Sequence, residues 1–570
     1  MAGRAQATAH KEASITPGKA VSMRPLQIRD ALRLGRATEL WPKTALSVLL
    51  AMAVPSLVLL AMGHVGLMVY TVGGSTCALY GHSLPYAARA RALACVVLGM
   101  VVSNGAGLAT AAATHSTAVR VAVAALLAAA HKFVCDATRI GPPGNVVFTF
   151  VAAGCAFLPQ RFADIPGHLA LTLAAGSLAW TVCMAPGLVR SQEPERLAVA
   201  RALNAAMQLA RTPNDDPDHT SACRAAATTA AEAWRTVSLV PTHSPERQTL
   251  ALLLTRAESG NTDPRELARW ARLLRTTTPL PDLLSPHPKD DQVTDPGTAL
   301  SADGSRPCRH GSLNRCHVDL PSALRPGSHL LLLSARVAVG CALAGWASMA
   351  LGVGRPYWAV VAAASIFQSN LALTWRRALN RVFGNVVGLA LFAALLPITR
   401  AGALALILAV LFFQVATEAT ISRGYWLGQV CIVQMSLLMP QFAHAQPAGE
   451  LLMDRALDTL TGCTLGLLVA LAITDRRAVD RAKSALATVN ASHAAAARLM
   501  AQPSAPDPAD LVHARCRLAS ALAQLREATE VASGEWRQRT LPQERIAAAE
   551  HESRQMLTLL AGSLSAGPPR

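Results

Sequence analysis

Charge is scarce in this sequence: Asp, Glu, Lys and Arg make up 15% of 570 residues, against about 25% in soluble domains. That shortage excludes a chain that faces water over its whole surface. A hydrophobic fraction of 52% and a mean hydropathy of +0.31 point to a second solvent. No GxxxxGK[ST] loop occurs, which argues against direct ATP drive, and no hydrolase or nucleotide-binding spacing is present. The chain therefore does not read as an enzyme, and no cofactor is expected. The twelve cysteines form no CxxC pair. Cys77, Cys95, Cys155, Cys183, Cys341, Cys431 and Cys463 fall inside apolar runs, where a thiol acts as a small hydrophobe. Cys308, His310, Cys316 and His317 are ligand types in a short window. Their Pro/Ser/Asp-rich surroundings fit a linker better than the fixed four-ligand geometry of a zinc site. No signal peptide is evident: the first 40 residues are polar and basic, and the first apolar run reads as a retained span.

The few charges are segregated, which divides the chain. Residues 1–41 form a basic amino-terminal segment, 42–189 a first apolar half, and 190–282 a helical Ala/Arg/Leu-rich segment. Residues 283–328 read as a flexible linker rich in Pro, Ser, Asp and Gly. A second apolar half follows at 329–474 and a second helical segment at 475–570. The formal charge of +17 would suggest nucleic acid, but the basic residues flank apolar runs and do not form a face with aromatics. Membrane anchoring accounts for the charge, so the bilayer is the expected partner and nucleic acid is not.

A helix needs about 20 apolar residues to cross the hydrocarbon. That ruler gives twelve candidates, near 42–62, 65–80, 90–113, 117–135, 143–159 and 166–189, then 329–351, 356–373, 379–397, 401–421, 424–440 and 453–474. The expected fold is an all-α integral membrane protein of two six-helix repeats, each followed by a helical cytoplasmic segment. With the amino terminus inside, the inner links hold Arg29, Arg33, Arg36 and Lys43, then Arg89 and Arg91, Lys132 and Arg139, Arg376, Arg377 and Arg381, Arg423, and Arg476 and Arg477. The outer links hold about one basic residue each, such as Arg161, Arg355 or Arg400. This positive-inside bias places both termini and both soluble segments in the cytoplasm.

The halves share an order of features. The second span of each runs into polar residues, then arginines, then a glycine-bearing helix: GGSTCALYGHSLPYAARARALACVVLG at 73–99 and SIFQSNLALTWRRALNRVFGNVVG at 365–388. Six spans per half keep both copies in one orientation, so parallel repeats, and a pseudo-dimer about an axis along the membrane normal, are expected. In the second copy, Tyr357-Trp358, the run Arg377-xxx-Arg381-xx-Gly384-xxx-Gly388 and the closing DRALDTLTGCTLGLLVAL at 454–471 resemble the fusaric-acid-resistance family of bacterial inner-membrane proteins, which includes aromatic acid exporters. The first half has Arg89 and Arg91 but no second Tyr-Trp opening. The family is in turn similar to plant aluminium-activated malate transporters. The resemblance implies export of small organic, aromatic acids or related toxic compounds across the bacterial cytoplasmic membrane. A passive organic-anion channel and a non-transporting membrane scaffold are the alternatives, and a homo-oligomer or a separate adaptor protein stays open.

The residues themselves point the same way. Arg377, Arg381, Gly384 and Gly388 follow at intervals of four, three and four, one stripe of a helix. The arginines mark topology, or they draw a carboxylate: Arg376, Arg377 and Arg381 can each grip one bidentately. The glycines read as packing positions, and Gly462 and Gly466 repeat the spacing. Ser365, Gln368 and Asn370 interrupt an apolar span and must face protein or a substrate cavity. Glu418 is the clearest carboxylate inside a span. It reads either as a pair with Arg423 or as a proton-coupling acid. His64, His131 and Asp136 read as interfacial, and Trp41, Trp375, Tyr425 and Trp426 as an aromatic belt.

Overall fold

The computed structural model describes residues 34–35, 41–213, 216, 219–240, 245–258, 262–276, 324, 328–399, 401–442, 447–475, 477–503, 506–535 and 541–566. Cys308, His310, Cys316 and His317, most of the 283–328 linker, and Arg29, Arg33, Arg36, Arg400 and Arg476 lie outside them. Among the described residues the regular structure is helical throughout.

The first apolar half forms α1 (Trp41–Ala61), α2 (Met68–Ser75, extended by 3-10 turns to span 65–79), α3 (Tyr86–Ala113), α4 (Thr117–Ala137), α5 (Asn145–Ala156) and α6 (Ile165–Met184). The second forms α11 (His329–Ala350), α12 (Tyr357–Ile366), α13 (Leu371–Thr399), α14 (Ala403–Ile421), α15 (Tyr425–Leu438) and α16 (Ala448–Ala472). Among the described residues, eight helices are long and apolar enough to cross a membrane: α1, α3, α4, α6, α11, α13, α14 and α16. The other four, α2, α5, α12 and α15, are shorter. Leu46, Leu50 and Val58 on α1, and Leu404, Leu408 and Phe412 on α14, are exposed. Apolar side chains in continuous stripes need lipid around them. The chain is a multi-pass membrane protein.

Packing within the two halves follows one scheme. In the first, α2 packs on α6, α3 on α5 and α6, α4 on α5, and α1 on α2 and α6. In the second, α12 packs on α16, α13 on α15 and α16, α14 on α15, and α11 on α12 and α16. Each half then lends its first helix to the other's fourth: α1 lies on α14 and α11 on α4. Both seams are apolar. Met52, Met68, Ile407, Val410 and Met439 line a small gap at one, and Val121, Ala124, Ala128, Val337, Cys341 and Ala344 fill the other. Close approach of α16 to α12 needs Gly462, where a Cβ would lie 2.5 Å from the Ala359 carbonyl oxygen.

The polar segments form two bundles on one side of the membrane helices. These are α7 (Glu193–Arg211), α8 (His219–Ser238), α9 (Pro245–Glu258) and α10 (Pro264–Leu273), then α17 (Ala478–Met500), α18 (Pro508–Ser533) and α19 (Gln543–Ala566). They pack together through α9 and α19, and through Arg515, which pairs with Glu258 and lies 4.1 Å over the Trp234 ring. Lys43 pairs with Glu193, Arg139 reaches Glu527 at 3.5 Å and His329 reaches Asp475 at 2.9 Å. The starts of α1 and α11 and the end of α4 therefore face the bundles.

The largest departure from the expected boundaries is at the eighth span. The eighth span does not run through to residue 373. It stops at Ile366, and α13 begins at Leu371 instead of near 379. Asn370 causes this: its Oδ1 accepts from the Leu373 N–H at 2.9 Å and its carbonyl from the Thr374 N–H at 3.1 Å, a helix N-cap inside the polar run.

Candidate functional site

The residues singled out at 365–381 divide into two groups. Ser365 is buried and gives its hydroxyl to the Ala362 carbonyl of its own helix at 2.8 Å. Gln368 donates from its backbone to Thr374 Oγ1 at 3.1 Å and from Nε2 to the Phe367 carbonyl at 3.0 Å. Asn370, besides capping α13, donates from Nδ2 to the Glu530 carbonyl at 2.9 Å. Ala372 N donates to the Gly534 carbonyl at 3.1 Å, and Glu535 pairs with the buried Arg336 at 3.2 Å. The end of α18 thus docks into the break between α12 and α13. Ser365 and Asn370 both bond to backbone groups here.

The arginines behave differently. Arg376 is exposed. Arg377 is half-buried and stacks 3.6 Å over the Tyr425 ring, so Tyr425 belongs to this cluster and not to an aromatic belt. Arg381 is 3% exposed and, at 1.5 Å rise per residue, sits about 15 Å along α13 from its start. Its Nη1 donates to Gln429 Oε1 at 3.2 Å and to the Tyr425 hydroxyl at 3.4 Å, and its Nε has no hydrogen-bond partner among the described residues. Its partners are neutral. A buried cation without a counter-charge costs several kcal/mol. Around it Asn380, Asn385, Gln429 and Gln434 are all buried, and each keeps one unpartnered polar atom. Such half-satisfied amides each cost about 1–3 kcal/mol.

The sequence reading passed over Arg455 and Asp458 on α16. Arg455 is 1% exposed, with Nε and Nη1 unpartnered, and lies 5.0 Å over the Trp358 ring. Its guanidinium is close enough to Arg381 for the two cations to repel. Asp458 is fully buried: Oδ1 accepts from Ser348, and Oδ2 is unpartnered. Nearer the start of α16, Arg355 pairs with Asp454 at 2.8 Å. A usable signal existed. Arg455, Thr459, Gly462 and Gly466 repeat the four, three, four spacing of Arg377, Arg381, Gly384 and Gly388.

Glu418 is not paired with Arg423. Gln414 Nε2 donates to it at 3.4 Å, and α14 ends at Ile421 before Arg423 can share its face. In the first half the corresponding helices meet through neutral groups, and the buried cation, Arg89, lies near the start of α3. Asn104 Nδ2 donates to Thr172 Oγ1 at 3.0 Å, and Thr172 donates to the Tyr70 carbonyl at 2.8 Å. His131, half-buried, contacts Ser103 Oγ at 2.8 Å. The buried Arg89 has His82 Nδ1 at 2.7 Å. Burial and then the Arg89 charge push His82 down to about 4, so the ring is neutral and can accept while its Nε2 meets the Ala78 carbonyl at 2.7 Å. Among the described residues no cluster of His, Cys, Asp and Glu could hold a metal ion.

These features define a multi-pass helical membrane protein with a cationic interior in its second half. The similarity to known proteins lies in that half: residues 342–469 match the family described as fusaric acid resistance protein-like. Both the Tyr357-Trp358 to Gly388 run and the DRALDTLTG segment fall inside the matched stretch. No curated protein and no solved structure matches the chain.

Proposed function

We propose that this chain is a transporter of the cytoplasmic membrane that exports small organic acids, aromatic ones among them, from the cytoplasm. The observation that carries the proposal is Arg381: a guanidinium deep in the matched segment, buried, and bonded only to neutral groups. An anion leaving the cytoplasm must shed water, and fixed guanidinium donors replace that hydration. Arg376 at the surface, half-buried Arg377 and buried Arg381 form a graded path for a carboxylate.

The orientation rests on twelve crossings, with α2, α5, α12 and α15 completing the eight long helices. Lys43, Arg89, Arg91, Lys132, Arg139, Arg376, Arg377, Arg423 and Arg477 then all lie on the bundle side, which the positive-inside rule assigns to the cytoplasm. The recurrence of the same helix pairs in both halves, and the reciprocal seams α1–α14 and α4–α11, support parallel six-helix repeats related by an axis along the membrane normal. Reporter fusions after residues 190 and 475 should both read cytoplasm, and a periplasmic signal at either would refute the orientation. For function, cells overproducing the chain should accumulate less labelled benzoate than cells lacking it and should tolerate more of it. Equal accumulation across a panel of aromatic acids would sink the export reading.

A further inference from the structure

We infer that Arg381 and Arg455 together form one intramembrane binding site, inside the second half, for a single carboxylate monoanion. The inference deepens the transport reading and rests on it for the direction of movement alone.

α13, which carries Arg381, packs on α16, which carries Arg455, and the Arg455 guanidinium feels the Arg381 charge. Each arginine is at least 97% buried, and neither has an ion-pair partner among the described residues. Like charges so placed repel one another and are poorly solvated, which is expensive in a membrane interior unless an anion joins them. Three guanidinium nitrogens, Nε of Arg381 with Nε and Nη1 of Arg455, stand without acceptors. A carboxylate offers two oxygens with about four acceptor positions, enough to use them all.

The charge count selects the ligand class. Arg336 and Arg355 are neutralised by Glu535 and Asp454. Among the groups at least 97% buried, Arg381 and Arg455 with an ionised Asp458 leave one net positive charge, and half-buried Arg377 stands outside this innermost set. One monocarboxylate cancels that charge, whereas a dianion leaves the cluster negative. Trp358 beneath Arg455 and Tyr425 beneath Arg377 add aromatic surface, which suits an arene carboxylate.

The location is selected as well. Met52, Met68, Ile407, Val410 and Met439 at one seam and the alanine-rich contact of α4 with α11 at the other offer no charge to an anion between the halves. In the first half the equivalent pair has a buried arginine on α3 alone, Arg89 against the neutral His82, and none on α6, with Thr172 and Asn104 bonded to each other between the helices. The binding stoichiometry is therefore one anion per chain and not one per repeat.

The test is equilibrium binding of labelled benzoate to the purified full chain in nanodiscs, with phthalate as the dianion, alongside melting temperatures. Wild type should bind one benzoate per chain, phthalate should compete poorly, and saturating benzoate should raise Tm. Arg455→Gln and Arg381→Gln should each weaken benzoate binding by about tenfold or more. Arg455→Lys should recover only part of the loss, because an ammonium cannot grip both oxygens. Arg455→Gln should also leave the ligand-free Tm equal or higher, since it removes an uncompensated buried charge. A residue that merely holds the fold would lower it. Unchanged benzoate affinity in Arg455→Gln, two benzoates per chain, or a preference for phthalate would each overturn the inference. Vesicle uptake separates the two claims. Uptake that is indifferent to Arg455 sinks the site and leaves transport standing, and Arg455-dependent binding without uptake sinks transport and leaves the site standing.

Discussion

The Arg336–Glu535 pair joins α11 to the segment after α18 and has a calculable asymmetry. The two side chains are 2% and 5% exposed with 3.2 Å between Nη2 and Oε1. Removing one partner of such a pair costs about 3–5 kcal/mol, because the other charge stays buried alone. The partners differ in how they can escape. Burial already raises the Glu535 carboxyl above its ordinary range, and Arg336 only partly offsets that. In Arg336→Gln the carboxyl protonates and sheds most of the penalty, whereas in Glu535→Gln the guanidinium cannot lose its proton. Glu535→Gln should therefore cost about 3–5 kcal/mol at every pH from 5 to 8. Arg336→Gln should cost less, and less still as pH falls, because a folded-state pKa raised above the unfolded value gives stability that is lost as pH rises. The assay is thermal unfolding of the detergent-solubilised chain as a double-mutant cycle at several pH values. Additive single mutants, or an Arg336→Gln cost that grows toward pH 5, would refute the reasoning.

Three further outcomes follow from the same structure. Glu195, buried with Oε2 unpartnered, is pushed up to about 7 by burial. Its stabilising protonated form is fully present below about pH 4.5 and lost as pH passes 7, so Glu195→Gln should gain about 3 kcal/mol at pH 8 and nothing at pH 4, measured by chemical denaturation. Burial pushes the Asp475 carboxyl up, but hydrogen bonds and charge from His329 and Arg481 outweigh it and hold the group well below the usual carboxylate range. Asp475→Asn should therefore destabilise by about 2–4 kcal/mol near pH 7, with a deficit that shrinks as pH falls below about 4. At Gly384 a Cβ would lie 2.5 Å from the Trp426 carbonyl oxygen. Gly384→Leu should prevent α13 from seating on α15 and abolish the monodisperse gel-filtration peak, whereas Gly384→Ala should cost about 1–3 kcal/mol.

Much of this fold was legible because lipid imposes a coarse rule: runs of apolar residues must be helices, and each of the twelve apolar runs holds one. The break at 367–370 was half legible. The polar run was visible, but its role as an N-cap for α13 depends on backbone geometry that composition does not carry. Arg381 was found because two arginines and two glycines mark a stripe. Arg455 was missed because Glu450, Asp454, Arg455 and Asp458 together look like the wet end of a span. Only the packing of α16 against α12 and α13 shows that Asp454 is paired with Arg355 while Arg455 points into the interior. Glu418 and Arg423 are five residues apart, a separation that does not place two side chains on one helical face, and the end of α14 between them removes the remaining chance of a pair.

Uptake of labelled benzoate into inverted vesicles, at matched protein abundance, tests the central claim most directly. Wild-type vesicles should accumulate the acid. Arg381→Gln should reduce the initial rate by about tenfold or more while the protein inserts in normal amount, because Arg376 and Arg377 still mark the inner face. Arg381→Lys should fall between the two. An initial rate in Arg381→Gln equal to wild type would contradict the claim and leave Arg381 as a packing and topology residue alone.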